Sequence, residues 1–459
     1  MDNSFKQSAI KKEILDNLDS LEFHQMTPIQ AATLPIILAG KDVIAKAKTG
    51  SGKTLAFGLS ILNQINTEEI KLHSLILCPT RELAEQVADE LRRLARFMKN
   101  MKILVVCGGA AEYHQLKSLE HGVHIVVGTP GRVLKFLKED HLDISTIKYL
   151  VLDEADRMLD MGFHADMLEI NAFTPKKKQT LLFSATFPES IEELSAEFQQ
   201  SPVQIEVDEK HSQNVIEQTF IEVPTHPAKM EALLKTLSIY KPESAIIFCK
   251  TKQTCAEVAE SLSRKKISAL PFHGDLEQNE RNLILSKFSN KSALILVATD
   301  VAARGLDIKD LKAVINFDLA YDPEVYTHRI GRSGRAGNVG QAISFYVPYE
   351  KEKIDGIEEY LKTKNTYLTL KDLNPEGEFD LQAPMKTLFI SGGKKDKVRP
   401  GDILGAIVKE AGIEAKHVGN INVLNVFSYV AIEREYFDIV INKLNNGKIK
   451  GRKFRVGPA

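Results

Sequence analysis

From about residue 20 to residue 200, short apolar runs alternate with longer amphipathic stretches. The runs Lys41–Ala45, Ser74–Cys78, Lys102–Val106, His124–Val127, Tyr149–Leu152 and Thr180–Phe183 are too short for helices and lack in/out alternation. They read as strands buried on both faces, and the stretches between them as covering helices. This is the pattern of a parallel sheet with crossover helices. Residues 201–214 are polar and irregular, which predicts a hinge at 206–215. The alternation then resumes with Ala245–Phe248, Ser268–Phe272, Leu294–Ala298, Ala313–Phe317 and Gln341–Val347. The expected organisation is an α/β unit over 1–205, a second over 216–372, a linker over 373–384 and a small α+β module over 385–459. The two large units look like weak copies. Leu77-Cys78-Pro79-Thr80-Arg81 and Phe248-Cys249-Lys250-Thr251-Lys252 both end a strand in a threonine with basic neighbours.

The chemistry sits where strands end, the edge at which open α/β sheets bind ligands. The run Tyr149–Leu152 delivers two adjacent carboxylates, Asp153 and Glu154. Upstream, Ala47-Lys48-Thr49-Gly50-Ser51-Gly52-Lys53-Thr54 follows a strand and opens a helix predicted over about Thr54–Asn63, the context a phosphate-binding loop requires. Ala47 stands where such loops usually begin with glycine. Lys53 can meet the β- and γ-phosphates, Thr54 and Asp153 can hold Mg²⁺, and Glu154 can polarise a water. In the second unit, residues 326–335 place Arg329, Arg332 and Arg335 three apart, among Gly331 and Gly334. Guanidinium forks fit phosphate oxygens, so closure of a cleft between the units would complete an ATPase site.

Composition narrows the class. With 43% hydrophobic and 26% charged residues and no apolar run near the ~20 that a bilayer needs, the chain reads as soluble. The start, Met-Asp-Asn-Ser-Phe-Lys, lacks signal-peptide shape, so a cytoplasmic location is expected. Cys78, Cys107, Cys249 and Cys255 lack metal-ligand spacing and read as reduced packing residues. The net charge of −1 conceals an asymmetry. Residues 385–459 carry 14 Lys and Arg against 7 Asp and Glu, leaving 46 against 54 elsewhere. A basic module on an acidic body points to a polyanion-binding appendage.

The ordered motifs resemble those of DEAD-box ATP-dependent RNA helicases over about residues 5–370. They are Phe23 with Thr27-Pro28-Ile29-Gln30, the phosphate loop, Pro79–Leu83, Gly108-Gly109, Thr129–Arg132, Asp153–Asp156, Ser184-Ala185-Thr186, Gln278 with Arg281, Thr299–Asp307 and His328–Arg335. Glu22 stands where the family commonly has glycine. The resemblance implies two tandem RecA-like domains and adenine recognition by Phe23 and Gln30. It implies a ribose contact at Asp307, arginine fingers at Arg332 and Arg335, and a water-positioning carboxylate at Glu154. Ser184, Thr186 and His328 resemble residues that couple the ATP and RNA sites. Thr80, Arg81, Gly109, Thr129, Arg132, Arg281 and Thr299 resemble groups that hold the RNA backbone.

The last module resembles an RNA recognition motif, in the order β-α-β-β-α-β, and its Gly392–Ala406 and Gly447–Gly451 segments resemble the DbpA subfamily. That resemblance implies binding of 23S rRNA and pre-50S particles by a monomer acting in large-subunit assembly. Lys394, Lys395, Lys397 and Arg399, with Lys448, Lys450, Arg452 and Lys453 on an expected last strand, are the basic candidates for RNA contact. Phe427 and Tyr429 hold the spacing of base-stacking aromatics, though alternating aromatics on a strand are as readily core. An ATP-gated RNA clamp without unwinding uses the same residues. A DNA helicase is disfavoured by the motif set.

Overall fold

Eighteen strands in three sheets are assigned in a computed structural model that describes every residue except 1–2, 48–50, 110, 188, 208–215, 304–310, 321, 335–338, 364, 376 and 378. The first sheet holds β1 (Val43–Lys46), β2 (Ser74–Leu77), β3 (Ile103–Val106), β4 (Ile125–Gly128), β5 (Tyr149–Asp153), β6 (Gln179–Ser184) and β7 (Val203–Glu206). All pairings are parallel, in the order β3-β4-β2-β5-β6-β1-β7. Each interior strand feeds two cores through its period-two alternation. On β5, Tyr149 and Val151 enter the core that also receives Phe57 and Phe183, while Leu150 and Leu152 enter the opposite one with Phe136 and Met158. This is why the strands read as continuous apolar runs.

The second sheet repeats the first. Its strands are β8 (Ile216–Glu222), β9 (Ala245–Cys249), β10 (Ala269–Phe272), β11 (Ile295–Thr299), β12 (Ala313–Asn316), β13 (Gly340–Tyr346) and β14 (Thr366–Thr369). They pair in the order β10-β11-β9-β12-β13-β8-β14, again all parallel, which is the first order shifted by seven. The matching Thr80 and Thr251 both cap helices, accepting from the amides of Leu83 (3.3 Å) and Thr254 (3.1 Å). Among the described residues no helix is long and apolar enough to cross a membrane. All four cysteines are buried and free.

A third, antiparallel sheet contains β15 (Met385–Ile390), β16 (Val418–Val423), β17 (Ser428–Glu433) and β18 (Val456–Pro458) in the order β16-β17-β15-β18. Helices Pro400–Ala406, extended by a π-type turn Ile407–Ala411, and Phe437–Asn446 close one face. The expected β-α-β-β-α-β order is present, with two differences. The basic run 448–453 is a turn preceding β18, not a strand, and Phe427 lies just before β17.

The segment expected as a linker packs through three of its described residues. Leu373, Leu381 and Ala383 are buried in the second unit's core, the Ser268 amide donates to the Leu381 carbonyl, and the Ala383 amide donates to Ser268 Oγ (2.8 Å). Its polar residues hid three apolar contacts that only the fold brings together. The module then joins the same unit. Asn290 Nδ2 donates to Thr387 Oγ1 (3.1 Å), Thr387 Oγ1 to Ser292 Oγ (2.8 Å), and Arg434 Nε to the Ala383 carbonyl (2.9 Å). Thus residues 373–384 act as a strap. Leu381→Ala should cost about 2–3 kcal/mol, lowering the calorimetric melting temperature of the second unit by roughly 5–10 °C. A change below about 1 °C would count against the strap.

Candidate nucleotide and RNA sites

The helix Lys53–Gln64 starts directly after Gly52, whose φ of +92° lies in the left-handed region. A Cβ at Gly52 would meet Gln30 Nε2 at 2.3 Å, so the loop needs glycine here for both reasons. Ala47, by contrast, keeps a negative φ and donates its amide to the Ser184 carbonyl (2.9 Å), so the usual glycine is not required there. The loop is tied to the helix Pro28–Leu38. Thr27 Oγ1 donates to the Ser51 carbonyl (2.8 Å), and Gln30 Nε2 to the Gly52 carbonyl (3.1 Å), while Gln30 Oε1 accepts from the Thr27 amide (2.8 Å). One N–H and one lone pair of that carboxamide remain for a base edge. Phe23 lies partly buried with the Arg93 guanidinium 5.0 Å from its ring centre. Its neighbour Glu22 has φ +61°, which explains why glycine suits that position. Lys48, Thr49 and Gly50 lie outside the described residues.

Three buried polar atoms of the loop and the end of β5 lack hydrogen-bond partners among the described residues, Ser51 Oγ, Lys53 Nζ and Asp153 Oδ1, and the Lys53 charge acts on the Asp153 carboxyl. Buried polar groups are normally paired, so an orphaned cation, carboxylate and hydroxyl at a loop-to-helix junction fit a ligand bearing both phosphate and a divalent ion. Burial pushes the Asp153 carboxyl up to about 6, with the Lys53 charge opposing that rise and the Glu154 charge adding to it. Thr54 follows on the first turn of the helix, partly exposed.

Immediately after Asp153, Glu154 is left-handed (φ 55°) and forms the N-cap of the helix Ala155–Asp160. Its Oε2 accepts from Arg157 Nη1 at 2.7 Å, with both side chains about 5% exposed. Asp156 Oδ2 accepts from the amides of Ala185 and Thr186 and from Thr186 Oγ1, each at 3.1 Å. Ser184 Oγ donates to the Thr186 carbonyl (2.6 Å). The acidic motif and the Ser184–Thr186 segment are therefore one hydrogen-bonded unit. Sequence reading missed Asp156 and Arg157 as its fasteners, because the partner of Asp156 lies about thirty residues away.

The backbone-holding candidates of the first unit gather beyond β2, β3 and β4. Gly109 (φ +73°) is packed so closely that a Cβ would lie 2.0 Å from Arg81 Nη2. Arg81 Nε and Nη1 are buried without a hydrogen-bond partner among the described residues. Thr80 and Thr129 are the N-caps of the helices Arg81–Leu94 and Pro130–Lys138. Arg132 is ion-paired with Glu112 (2.9 Å).

In the second unit, Arg281 lies with its guanidinium 4.4 Å from the Phe272 ring centre, and Thr299 ends β11, partly exposed. His328 and Arg329 lie on the helix Pro323–Ile330, and Arg332 is buried just beyond it. The spacing groups Arg329 with Arg332 and Arg335, but only the latter two resemble arginine fingers, and the structure gives Arg329 a different task. Arg329 is 3% exposed and grips both Asp300 oxygens (2.6 and 2.7 Å), Asn316 Oδ1 and the Asp318 carbonyl. Spacing alone could not separate a buried clamp from a finger. Asp307 and Arg335 lie outside the described residues.

On the third sheet, Leu388 and Ile390 point into the module's core, so by alternation Phe389 takes the other face. There it contacts Phe427 (5.7 Å between centroids) and Tyr429 (6.2 Å), making an aromatic trio from the expected pair. Lys394, Lys395, Lys397 and Arg399 are exposed, as are Lys448, Arg452 and Lys453. Lys450 fastens the two basic segments, donating to the Lys397 carbonyl (2.6 Å) and pairing with Asp402 (3.3 Å).

Comparisons agree with this geometry. Family models described as DEAD/DEAH box helicase, helicase conserved C-terminal domain and DbpA RNA binding domain match residues 27–194, 228–337 and 387–458. The chain belongs to the DEAD-box ATP-dependent RNA helicases, and within them to the DbpA subfamily. It is 49% identical over 442 residues to the ATP-dependent RNA helicase DbpA of Escherichia coli, covering 96% of each chain. It is 37% identical to DbpA of Bacillus subtilis, covering 99% of each. Among solved structures it resembles Saccharomyces cerevisiae Dbp5 bound to RNA and ADP BeF3 (TM-score 0.73, 29% identity, 81% of this chain and 96% of that one). It also resembles Mss116p bound to single-stranded RNA and AMP-PNP (TM-score 0.72, 26% identity, 89% and 84%). Its activity is RNA-dependent ATP hydrolysis of the helicase type.

Gly109→Ala should displace the Arg81 guanidinium and strain a left-handed backbone. The expected result is an RNA concentration for half-maximal ATPase about 10-fold higher, close to 1.4 kcal/mol of weakened RNA binding, with ATP binding unchanged. Unaltered RNA dependence in steady-state ATPase assays would remove Arg81 and Gly109 from the RNA site.

Proposed function

We propose that this helicase is directed to 23S rRNA by residues 385–459 and remodels it within pre-50S particles during large-subunit assembly, acting as a cytoplasmic monomer. One observation carries this reading. Two exposed basic segments on the module, 394–399 and 448–453, are fastened into one surface by Lys450, and this module matches a DbpA RNA binding domain. The core's candidate contacts are hydroxyls, a glycine and arginines beside the backbone path, which carry little sequence information. Target choice therefore falls to the module. Phe389 and Phe427 offer bases a partly open aromatic face, with Tyr429 buried (8% exposed) against them.

In the ATPase cycle, Lys53 and the loop hold the phosphates, Gln30 and Phe23 the adenine, and Asp307 the ribose. Thr54 and Asp153 are the residues to hold Mg²⁺, which when bound neutralises phosphate charge. Glu154 orients the attacking water. Arg332 and Arg335 stabilise the charge on the γ-phosphoryl group as it passes from ADP to water, when the two RecA-like domains, 1–205 and 216–372, close on ATP and RNA. Ser184, Thr186 and His328 couple that closure to RNA. The ligands named for Dbp5 and Mss116p, each an RNA with a nucleotide, support joint binding of the two by this fold.

Two experiments test the reading. Glu154→Gln should bind ATP and RNA but turn over about 10²–10³-fold more slowly. Neutralising Lys394, Lys395, Lys397, Lys448, Arg452 and Lys453 in the full chain, with Lys450 kept as a fastener, should lower ATPase stimulation by 23S rRNA to that of unrelated RNA. The log–log salt dependence should flatten by roughly 0.7–0.9 for each phosphate no longer neutralised. An unchanged preference for 23S rRNA would move specificity into the helicase core.

A further inference from the structure

Glu154 stands apart from every other residue with its backbone conformation. Eleven described non-glycine residues have positive φ, and the other ten (among them Glu22, Asn100, Lys241 and Lys397) are all exposed, as at ordinary turns. Glu154 alone of them is buried, at 4% exposure. A left-handed conformation is costly for a residue with a side chain, and such strain gathers where function holds it. A second cost falls on the same residue. Its carboxylate is paired with Arg157 inside the protein (2.7 Å, side chains 5% and 6% exposed), and desolvating two charges offsets most or all of their attraction. Well-packed apolar residues would make this turn cheaper.

What the pair provides is orientation. The terminal torsion of a glutamate is broad and nearly two-fold, so a carboxylate left alone samples many directions. Arg157 stands three residues on, inside the helix that Glu154 caps, and its guanidinium holds Oε2. Fixing that oxygen fixes where Oε1 points. An error of about 1 Å at a group that positions a reactant can cost about 10²-fold in rate.

We propose that Arg157 is a positioning residue for ATP hydrolysis: it holds the Glu154 carboxylate so that its second oxygen faces the attacking water. This deepens, and rests on, the role given to Glu154 above. Arg157 takes no part in bond making or breaking. A residue serving only to hold the helix would, when replaced, disturb Asp153 and Asp156 with it, and so nucleotide affinity and RNA coupling together.

The test uses the full chain with saturating RNA and magnesium, comparing Arg157→Met, Arg157→Lys, Glu154→Gln and the Glu154→Gln/Arg157→Met double variant. Arg157→Met should lower kcat about 10–100-fold with KM for ATP and the affinity for a non-hydrolysable ATP analogue within about 3-fold. Arg157→Lys keeps the charge and should recover part of the loss. Adding Arg157→Met to Glu154→Gln should cost less than about 2-fold more, since the two act on one group. If Arg157→Met does not fold, Arg157→Lys decides, with kcat reduced several-fold at unchanged KM. The proposal is overturned if kcat stays within 2-fold of wild type while Glu154→Gln is impaired, or if nucleotide affinity falls in parallel with kcat. Should Glu154→Gln itself turn over normally, the underlying assignment of Glu154 fails instead.

Discussion

A single left-handed residue turns β5 directly into a helix, and the rest of the first unit's site depends on that turn. Because Glu154 makes it alone, Asp153 remains the last strand residue, held beside Lys53 at the sheet's carboxyl edge. Asp156 is brought back over β6, where it accepts three hydrogen bonds from Ala185 and Thr186. A relaxed loop of several residues would separate these groups and leave backbone polar atoms to be satisfied elsewhere. The strain is offset by a network in which each carboxylate of the motif has a different partner.

The two large units show how one topology serves unequal chemistry. Their strand orders are identical after a shift of seven, and Thr80 and Thr251 cap equivalent helices. Parallel strands need crossovers, so both units present loops at the carboxyl edge, where ligand groups can be exchanged without disturbing the cores. The first unit fills that edge with a phosphate loop and carboxylates. The second fills it with arginines, one of which, Arg329, is used to lock Asp300 beside Thr299 and is withheld from any ligand.

The module is mounted rather than tethered. The strap's Leu373, Leu381 and Ala383 share the second unit's core, and Thr387 is buried against Asn290 and Ser292. Thr387 lies on the same sheet face as Phe389, so part of that face is covered by the helicase unit while the aromatic trio lies beyond it. The basic surface built by Lys397 and Lys450 is thereby fixed relative to the second sheet.

Much of this was legible in the linear sequence, because the signals are local. Strands buried on both faces leave continuous apolar runs, and eleven of the fourteen in the two parallel sheets were placed to within a residue or two, whereas β7, inside the stretch read as irregular, and β8 and β14 were not picked out. The phosphate loop and the Asp153-Glu154 pair are contiguous, so their chemistry survives without coordinates. The RNA recognition order of the last module followed from its strands and helices, though its short last strand was placed too early, since three residues hold too little pattern. What tertiary structure alone decided involves partners distant in sequence or directions in space. Whether Arg329 is a finger or a clamp depends on Asp300 and Asn316. Whether 373–384 is a linker or a strap depends on Ser268 and a core built from other segments. Which way the Glu154 carboxylate points depends on one dihedral angle and on Arg157. Periodicity records which residues are buried; it holds no record of which buried groups meet.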